Sequence, residues 1–258
     1  SPNSVLCAPS TCGTEKLYWY EAIYQKALEM GLRLNDLYDV ADIHAYCRKT
    51  INDDENKIGQ TELDCVPEHL IAKVEKLRGL LQKYGDGDKD IIFTELGWST
   101  HTDKTSHDKE TVTKEQQAYF TARAYLISSF LGVKNIYQYS FQDNGPGDDN
   151  AEKQFGMVDW YGTPKPAYYS YYVLSRILKN AENAERITSL VHPCYGAVYY
   201  DNEKDMYVTA LWTADGNARN VSVSTDSKKA LMIDMYGNSE YVSPYSLTIG
   251  SEPIYLYT

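Results

Sequence analysis

The sequence predicts an α/β protein in which a parallel sheet covered by helices is followed by a small antiparallel β-domain. Strand and helix patterns alternate four times before about residue 180, and such alternation is typical of a parallel sheet. The links after strands are long and polar, whereas the links after helices are short. From about residue 187 short alternating strands are separated by turn residues. We therefore place one domain at 1–182 and a β-sandwich-like domain at 183–258.

Each element of the first domain has a local signal. An apolar run at 4–8 ends at Pro9. The predicted helices show apolar residues at helical spacing, and three of the four end at a glycine; they cover 16–31, 67–85, 113–132 and 166–178. The other predicted strands are 37–46, 90–97 and 133–141.

The second domain shows period-two alternation of apolar and polar residues, which is the pattern of half-buried strands. Its predicted strands are 197–200, 206–212, 220–224, 230–235, 241–242, 246–249 and 254–257.

Composition excludes several classes of function. The net charge is -11 and the pI is about 4.9, which disfavours binding to nucleic acid or to an anionic membrane. No apolar run reaches the roughly 20 residues that span a bilayer. The five cysteines form no CxxC pair and have no metal-ligand spacing with histidine. We expect no metal, no cofactor, no nucleic acid and no membrane partner.

The sequence opens with Ser-Pro-Asn and shows no signal peptide, as expected if it were cut from a longer protein.

Three long polar links follow strands, at 48–66, 99–112 and 142–165. Loops of this length inside a compact domain are usually functional. All three leave the carboxyl ends of parallel strands, the edge where barrels and open α/β sheets carry their sites. The sequence therefore predicts the site at this edge.

Two of the strands carry candidate site residues. Strand alternation predicts that Glu95 shares a face with Ile91 and Phe93, at the end of its strand, where a half-screened carboxylate can act as nucleophile, base or acid. The plainer interpretation is a solvated or ion-paired glutamate. The same alternation places Asp42, His44 and Tyr46 on one face, and His44 is then either a site residue or a structural histidine.

Several motifs in order resemble a known clan. They are HAY at 44–46, TELGW at 94–98, FGMVDW at 155–160, GTPKPAY at 162–168 and DMYGN at 234–238. Together they are similar to the retaining (β/α)8-barrel glycoside hydrolases of the large 4/7 clan, with the β-xylosidase/α-iduronidase-like and cellulase-like families closest. The resemblance spans almost the whole chain.

The resemblance implies a C-terminal half of a TIM (β/α)8 barrel, with the visible strands as strands five to eight. Glu95 then ends the seventh strand as the catalytic nucleophile, and His44 and Tyr46 are substrate-binding residues of the sixth. The clan's acid/base glutamate follows an asparagine on the fourth strand, which this sequence does not contain. The only Asn-Glu pair, at 202–203, lies in a predicted turn. We therefore expect the acid/base residue upstream of this chain.

The eighth strand departs from the clan's pattern, because Gln138 stands where an aromatic sugar platform is common. Gln138 is expected to bind hydroxyls, or Trp98 and Tyr139 supply the stacking. Asp143 is a further substrate-binding candidate and a weak stand-in for the acid/base residue.

Four strands leave two open edges, so we expect a missing N-terminal half-barrel or a second subunit as partner. The implied function is retaining hydrolysis of O-glycosidic bonds in a plant- or microbe-derived oligo- or polysaccharide, by a secreted or cell-surface protein. The alternative is a non-catalytic carbohydrate-binding or scaffold protein on the same fold. A third and weaker hypothesis is a barrel enzyme that uses Glu95 as a base on a carbonyl compound. The sequence shows neither a phosphate-binding glycine loop nor a metal-ligand cluster, which disfavours it.

Overall fold

The computed structural model describes residues 4–8, 10, 17–47, 65–102 and 111–258. Its helices are α1 Tyr18–Glu29, α2 His69–Tyr84, α3 Lys114–Phe130 and α4 Pro166–Ile177. The strands of the first half are β1 Val40–His44, β2 Asp90–Leu96 and β3 Val133–Gln138. The strands of the second half are β4 Ala181–Arg186, β5 Cys194–Asp201, β6 Met206–Thr213, β7 Arg219–Val221, β8 Ala230–Ile233, β9 Ser239–Val242, β10 Leu247–Ile249 and β11 Ile254–Tyr257.

Parts of the predicted organisation lie outside the described residues. Of the three long loops, 142–165 is described throughout, whereas positions 48–64 and 103–110 of the other two are outside the description. Pro9 and the predicted start of the first helix at Lys16 are also outside it.

The first half is built on a parallel sheet with the order β1-β2-β3. Ile43 pairs with Phe93, which pairs with Ile136. Cys7 adds a parallel bridge to Val40, so the predicted run 4–8 lies beside β1. The prediction of a mixed α/β fold is confirmed; the described part has three full parallel strands and a single bridge in place of the fourth.

The helices begin and end where local chemistry indicates. Thr113 and Gln116 form a capping box at the start of α3, with each side chain accepting the other's backbone N–H at 3.1 and 2.8 Å. α2 ends at Gly85, whose φ of +85° is the left-handed conformation that glycine adopts without steric cost. No helix within the described ranges combines the length and the apolar character needed to cross a bilayer.

The second half is antiparallel. Six strands form one sheet in the order β4-β5-β6-β11-β8-β9, and β7 pairs with β10 in a second. All seven strands predicted here are present; 254–257 has the predicted bounds, and the other six have shifted ends. Sequence reasoning missed β4, whose residues AENAER are polar or small and mostly exposed because β4 is an edge strand. The sheet thus begins at Ala181, two residues before the predicted domain start.

A buried ion pair joins the two halves. Arg123 on α3 donates through Nε to Glu68 Oε1 at 2.9 Å, and its Nη2 contacts Glu68 Oε2. Trp212 on β6 donates its indole N–H to Glu68 Oε1 at 2.7 Å. All three side chains are buried. Since Glu68 lies directly before α2, this network anchors the antiparallel sheet against the helices that cover the parallel sheet.

Candidate active site

Glu95 and His44 are neighbours across two parallel strands. The register pairs His44 of β1 with Glu95 of β2, close to the carboxyl end of each strand. The backbone N–H of Ala45 donates to the Glu95 carbonyl at 2.9 Å, which continues the pairing past β1. Both side chains therefore stand at the edge of the sheet where the sequence predicts the site.

A β-bulge at Thr94 decides which way Glu95 points. Ile43 pairs with Phe93 and His44 with Glu95, so Thr94 is an extra residue in β2. Phe93 lies in the hydrophobic core shared with the helices, whereas Glu95 meets His44 and Tyr46. The prediction that Glu95 shares a face with Ile91 and Phe93 is wrong, because the bulge reverses the alternation after Phe93.

Two side chains contact one oxygen of Glu95. The Tyr46 hydroxyl donates to Oε2 at 2.9 Å, and His44 Nδ1 lies 3.2 Å from the same atom. The Glu95 side chain is 35% exposed and that of His44 is 19% exposed. Burial, together with the adjacent Glu95 carboxylate, raises the pKa of Tyr46 far above its ordinary value, so its hydroxyl remains a donor.

Asp42 holds the bulge in place. Its Oδ1 accepts the Thr94 hydroxyl at 2.6 Å and the Thr94 backbone N–H at 3.3 Å. The carboxylate is buried, and this burial raises the pKa of Asp42 above its usual range. Sequence reasoning did not select Asp42, although its alternation with His44 and Tyr46 was a usable signal.

An aromatic group closes one side of the site. The rings of Tyr46, Tyr139 and Phe155 meet edge to face, with centroids 5.2 to 6.3 Å apart. The Tyr139 hydroxyl donates to Glu152 Oε2 at 2.9 Å and accepts the Asn144 amide at 3.3 Å. Burial, followed by Glu152, raises the pKa of Tyr139 to about 12.

Glu152, Asn144 and Phe155 were missed by sequence reasoning, which selected only Asp143 from the loop between β3 and α4. The length and polarity of this loop were the available signal. They did not indicate which of its side chains turn back toward the strands.

Gln138 lies at the end of β3 beside the backbone of β2. Its amide nitrogen is 3.4 Å from the Tyr139 carbonyl, and a Cβ at Gly97 would collide with that same carbonyl oxygen. The close approach of the two strand ends therefore requires glycine at 97. Gln138 is half-buried next to Tyr139, on the strand that borders the site.

Trp98 and Asp143 are not brought to Glu95. Trp98 is buried against Phe120 with ring centroids 5.6 Å apart, and its indole N–H donates to the Cys65 carbonyl at 2.8 Å. Asp143 is buried in an ion pair with Lys165 at 2.7 Å and accepts the Gly156 N–H at 2.8 Å. In this structure Trp98 packs the core and Asp143 anchors the long loop.

The described residues contain no group of three or more His, Cys, Asp or Glu side chains arranged to hold a metal ion. The chemistry that they do offer is a partly exposed carboxylate with the Tyr46 hydroxyl bonded to one oxygen and His44 Nδ1 close to the same oxygen. Such a group suits nucleophilic attack or proton transfer.

Several solved protein structures have a fold similar to that of this chain. No protein-family model and no curated protein matches the chain. A family 39 glycoside hydrolase from the gut symbiont Bacteroides cellulosilyticus WH2 is 23% identical, with a TM-score of 0.69 over 92% of this chain and 47% of that one. A monomeric β-xylosidase from Caulobacter crescentus CB15 is 10% identical, with a TM-score of 0.53 over 99% and 61%. CelM2, a bifunctional glucanase-xylanase from a metagenome library, is 13% identical, with a TM-score of 0.56 over 99% and 56%.

The chain therefore shares the fold of glycoside hydrolases, and the resemblance predicted from its motifs is confirmed at that level. It spans between 47% and 61% of the length of these three structures.

Proposed function

We propose that this chain is the C-terminal part of a retaining glycoside hydrolase in which Glu95 is the nucleophile. The observation that carries the proposal is the Glu95 carboxylate itself. It stands at the carboxyl edge of a parallel sheet, held by Tyr46 and His44, and it remains partly open to solvent.

The contacts of Glu95 suit nucleophilic attack. Tyr46 and His44 both meet Oε2, so Oε1 is the oxygen available to the anomeric carbon. Tyr46 donates a neutral hydrogen bond, which orients the carboxylate without neutralising it. Attack by Oε1 forms a glycosyl ester while a second carboxyl group protonates the departing oxygen. The same group then takes a proton from the water that cleaves the ester, with retention of configuration.

The second carboxyl group, about 5–5.5 Å from the nucleophile in retaining enzymes, is proposed to come from a segment upstream of Ser1. The open edges of the parallel sheet support this. Among the described residues the sheet ends at β3, where Tyr137 is 55% exposed, and Val5 and Leu6 are exposed beside β1. A missing half-barrel, or a second subunit, would pair with these edges and cover the apolar side chains.

Xylosides and glucosides are the first substrates to test, since the similar structures include a β-xylosidase and a glucanase-xylanase. His44, Tyr46, Gln138 and Tyr139 are the proposed sugar-contacting residues. We further propose that the protein is secreted or held at the cell surface, as a similar structure is that of a conserved exported protein from Bacteroides fragilis, 10% identical with a TM-score of 0.52 over 85% of this chain and 46% of that one.

Covalent labelling tests the nucleophile directly. The reagents are 2,4-dinitrophenyl 2-deoxy-2-fluoro-β-xyloside and the matching glucoside, whose leaving group departs without acid assistance. We expect one glycosyl adduct on the peptide that contains Glu95, detected by mass spectrometry. Glu95→Gln should abolish the adduct, because an amide oxygen is a much weaker nucleophile than a carboxylate.

Glu240→Gln is the matched control, since Glu240 is an exposed strand glutamate in the other sheet; it should label as the unmodified protein does. An adduct on another residue would overturn the assignment of Glu95. No adduct, combined with retained affinity for xylo- or cello-oligosaccharides, would instead favour the non-catalytic carbohydrate-binding protein.

A further inference from the structure

A groove lies on the outer face of the antiparallel sheet, across β4, β5 and β6. Its volume is about 660 Å³, within the usual range for ligand sites. Six of the residues that line it are Asn183, Glu185, Val198, Tyr200, Asp205 and Tyr207.

A bulge in the edge strand shapes this groove. Glu182 pairs with Tyr200 and Glu185 with Val198, so β4 has one residue more than β5 between these pairs. Asn183 occupies the bulge with a φ of +53°, and Asp205 in the β5–β6 turn has the same φ. Bulges bend the strand and redirect its side chains. Here the bulge lies at the groove itself, since Asn183 is one of the lining residues.

Two tyrosines form the aromatic part of the groove. Tyr200 and Tyr207 are directly opposite each other on β5 and β6, with ring centroids 5.4 Å apart and an interplanar angle of 60°. Tyr207 is 56% exposed. Tyr199 also borders the groove, but its hydroxyl bonds Ser129 Oγ on α3 at 2.8 Å and so lies toward the helices. The groove thus faces away from the helices and from the parallel sheet.

The polar part of the groove consists of an amide and two carboxylates. Asn183, Glu185 and Asp205 are exposed, and the Tyr200 hydroxyl donates to Asp205 Oδ1. Planar side chains with several acceptors bind vicinal hydroxyl groups, and an exposed tyrosine ring covers the apolar face of a sugar. The combination matches an oligosaccharide better than a purely apolar or purely ionic ligand.

We infer that this groove is a second carbohydrate-binding site, separate from the Glu95 site, and that it takes neutral oligosaccharides. Glu185 and Asp205 accept hydrogen bonds from hydroxyl groups and repel carboxylated sugars. A second depression nearby is lined by Glu182 and Glu203 together with Lys179, so its carboxylates outnumber its one amine. The inference rests on the proposed carbohydrate substrate class, but not on the identity of the nucleophile.

The site would hold a polysaccharide chain on the β-domain while the parallel sheet presents Glu95. Binding in the groove requires no group of the Glu95 cluster. Glu95→Gln should therefore leave the affinity of the groove unchanged.

Isothermal titration with xylohexaose, cellohexaose and hexagalacturonic acid tests the inference on the full chain carrying Glu95→Gln. We expect binding of a neutral hexasaccharide and none of the uronate. Tyr207→Ala should weaken the neutral hexasaccharide about tenfold, because the stacking surface is lost. Glu185→Gln, which changes an exposed side chain without truncating it, should weaken it by a smaller factor.

Tyr241→Ala is the matched control, since Tyr241 is 73% exposed on β9 of the same sheet; its affinity should equal that of the parent. Three results would overturn the inference. They are no binding of either neutral hexasaccharide, equal hexasaccharide affinities for Tyr207→Ala and its parent, or titration showing that the groove binds a lysine-rich peptide and no hexasaccharide. Loss of covalent labelling at Glu95 with groove binding intact would count against the nucleophile alone, so the two proposals fail separately.

Discussion

Glu68, at the start of α2, and Glu95, near the end of β2, are two carboxylates with opposite environments. Glu68 is buried, and both of its oxygens are occupied by the Arg123 guanidinium, with Trp212 added on one. Glu95 is 35% exposed, and its described contacts fall on one oxygen, from a phenol and an imidazole. The first carboxylate is enclosed and paired with a cation, whereas the second is partly exposed and has its contacts on Oε2 alone.

This contrast distinguishes a structural glutamate from the glutamate that we propose as the nucleophile. A fully paired buried carboxylate cannot approach a substrate without breaking its ion pair, which costs several kcal/mol. A carboxylate that accepts a neutral hydroxyl on one oxygen is oriented but still nucleophilic. The surroundings of a carboxylate, rather than its residue type, therefore indicate its role in this protein.

The largest effect is expected when the Glu68 ion pair is broken. Glu68→Gln leaves the Arg123 charge buried without a counter-charge, and we expect the free energy of unfolding to fall by about 3–5 kcal/mol. Urea denaturation followed by tryptophan fluorescence measures it. Trp212→Phe removes one neutral donor and keeps an aromatic ring, so it should cost less, about 1–2 kcal/mol. Equal and small losses in both variants would contradict a structural role for the ion pair.

A smaller effect is expected when the orientation of Glu95 is disturbed. Tyr46→Phe removes the hydroxyl that donates to Oε2 and keeps the ring contacts with Tyr139 and Phe155. The rate of labelling by the fluoroglycoside should fall about tenfold, the equivalent of about 1.4 kcal/mol. Tyr139→Phe is the control, because the Tyr139 hydroxyl bonds Glu152 rather than Glu95, and it should label much faster than Tyr46→Phe. If the two variants label at the same rate, Tyr46 does not position Glu95.

The smallest effect concerns Asp42 and pH. Burial raises the pKa of Asp42, so the folded protein binds this proton more tightly than the unfolded chain. The free energy of unfolding should therefore fall as the pH rises from the ordinary Asp pKa of about 3.9 through the raised value. Asp42→Asn keeps an acceptor for Thr94 and removes this fall.

Urea denaturation at a series of pH values compares Asp42→Asn with Asp226→Asn, an exposed control. Only the Asp42 variant should lose part of the decline in stability between pH 4 and pH 7. The same pH dependence in both variants would show that Asp42 is not the group that titrates.

Much of the fold could be predicted from local sequence. The helices, the parallel strands and seven of the antiparallel strands follow from periodicity and end signals, because these depend on residues within one or two turns of each other. β4 was not predicted, because an exposed edge strand needs no apolar face and so shows no alternation of apolar and polar residues. Its polar residues AENAER are held by pairing with β5, which local sequence does not encode.

The candidate site divides in the same way. Strand order and the position of Glu95, His44 and Tyr46 near the ends of their strands could be predicted. The direction of Glu95 could not, because it depends on one extra residue at Thr94, which Asp42 of the neighbouring strand holds in place. The burial of Trp98 under Phe120 and the pairing of Asp143 with Lys165 likewise depend on distant partners.

By itself the sequence determined the order of elements, the edge of the sheet that carries the long loops, and the glutamate that ends β2. Only the tertiary structure decided which carboxylate is enclosed, which is open, and where the antiparallel sheet forms a groove. The physical reason is the distance along the chain between the residues that interact. Periodicity and caps act over a few residues, whereas bulges, buried ion pairs and strand pairings join groups as far apart as Glu68 and Trp212.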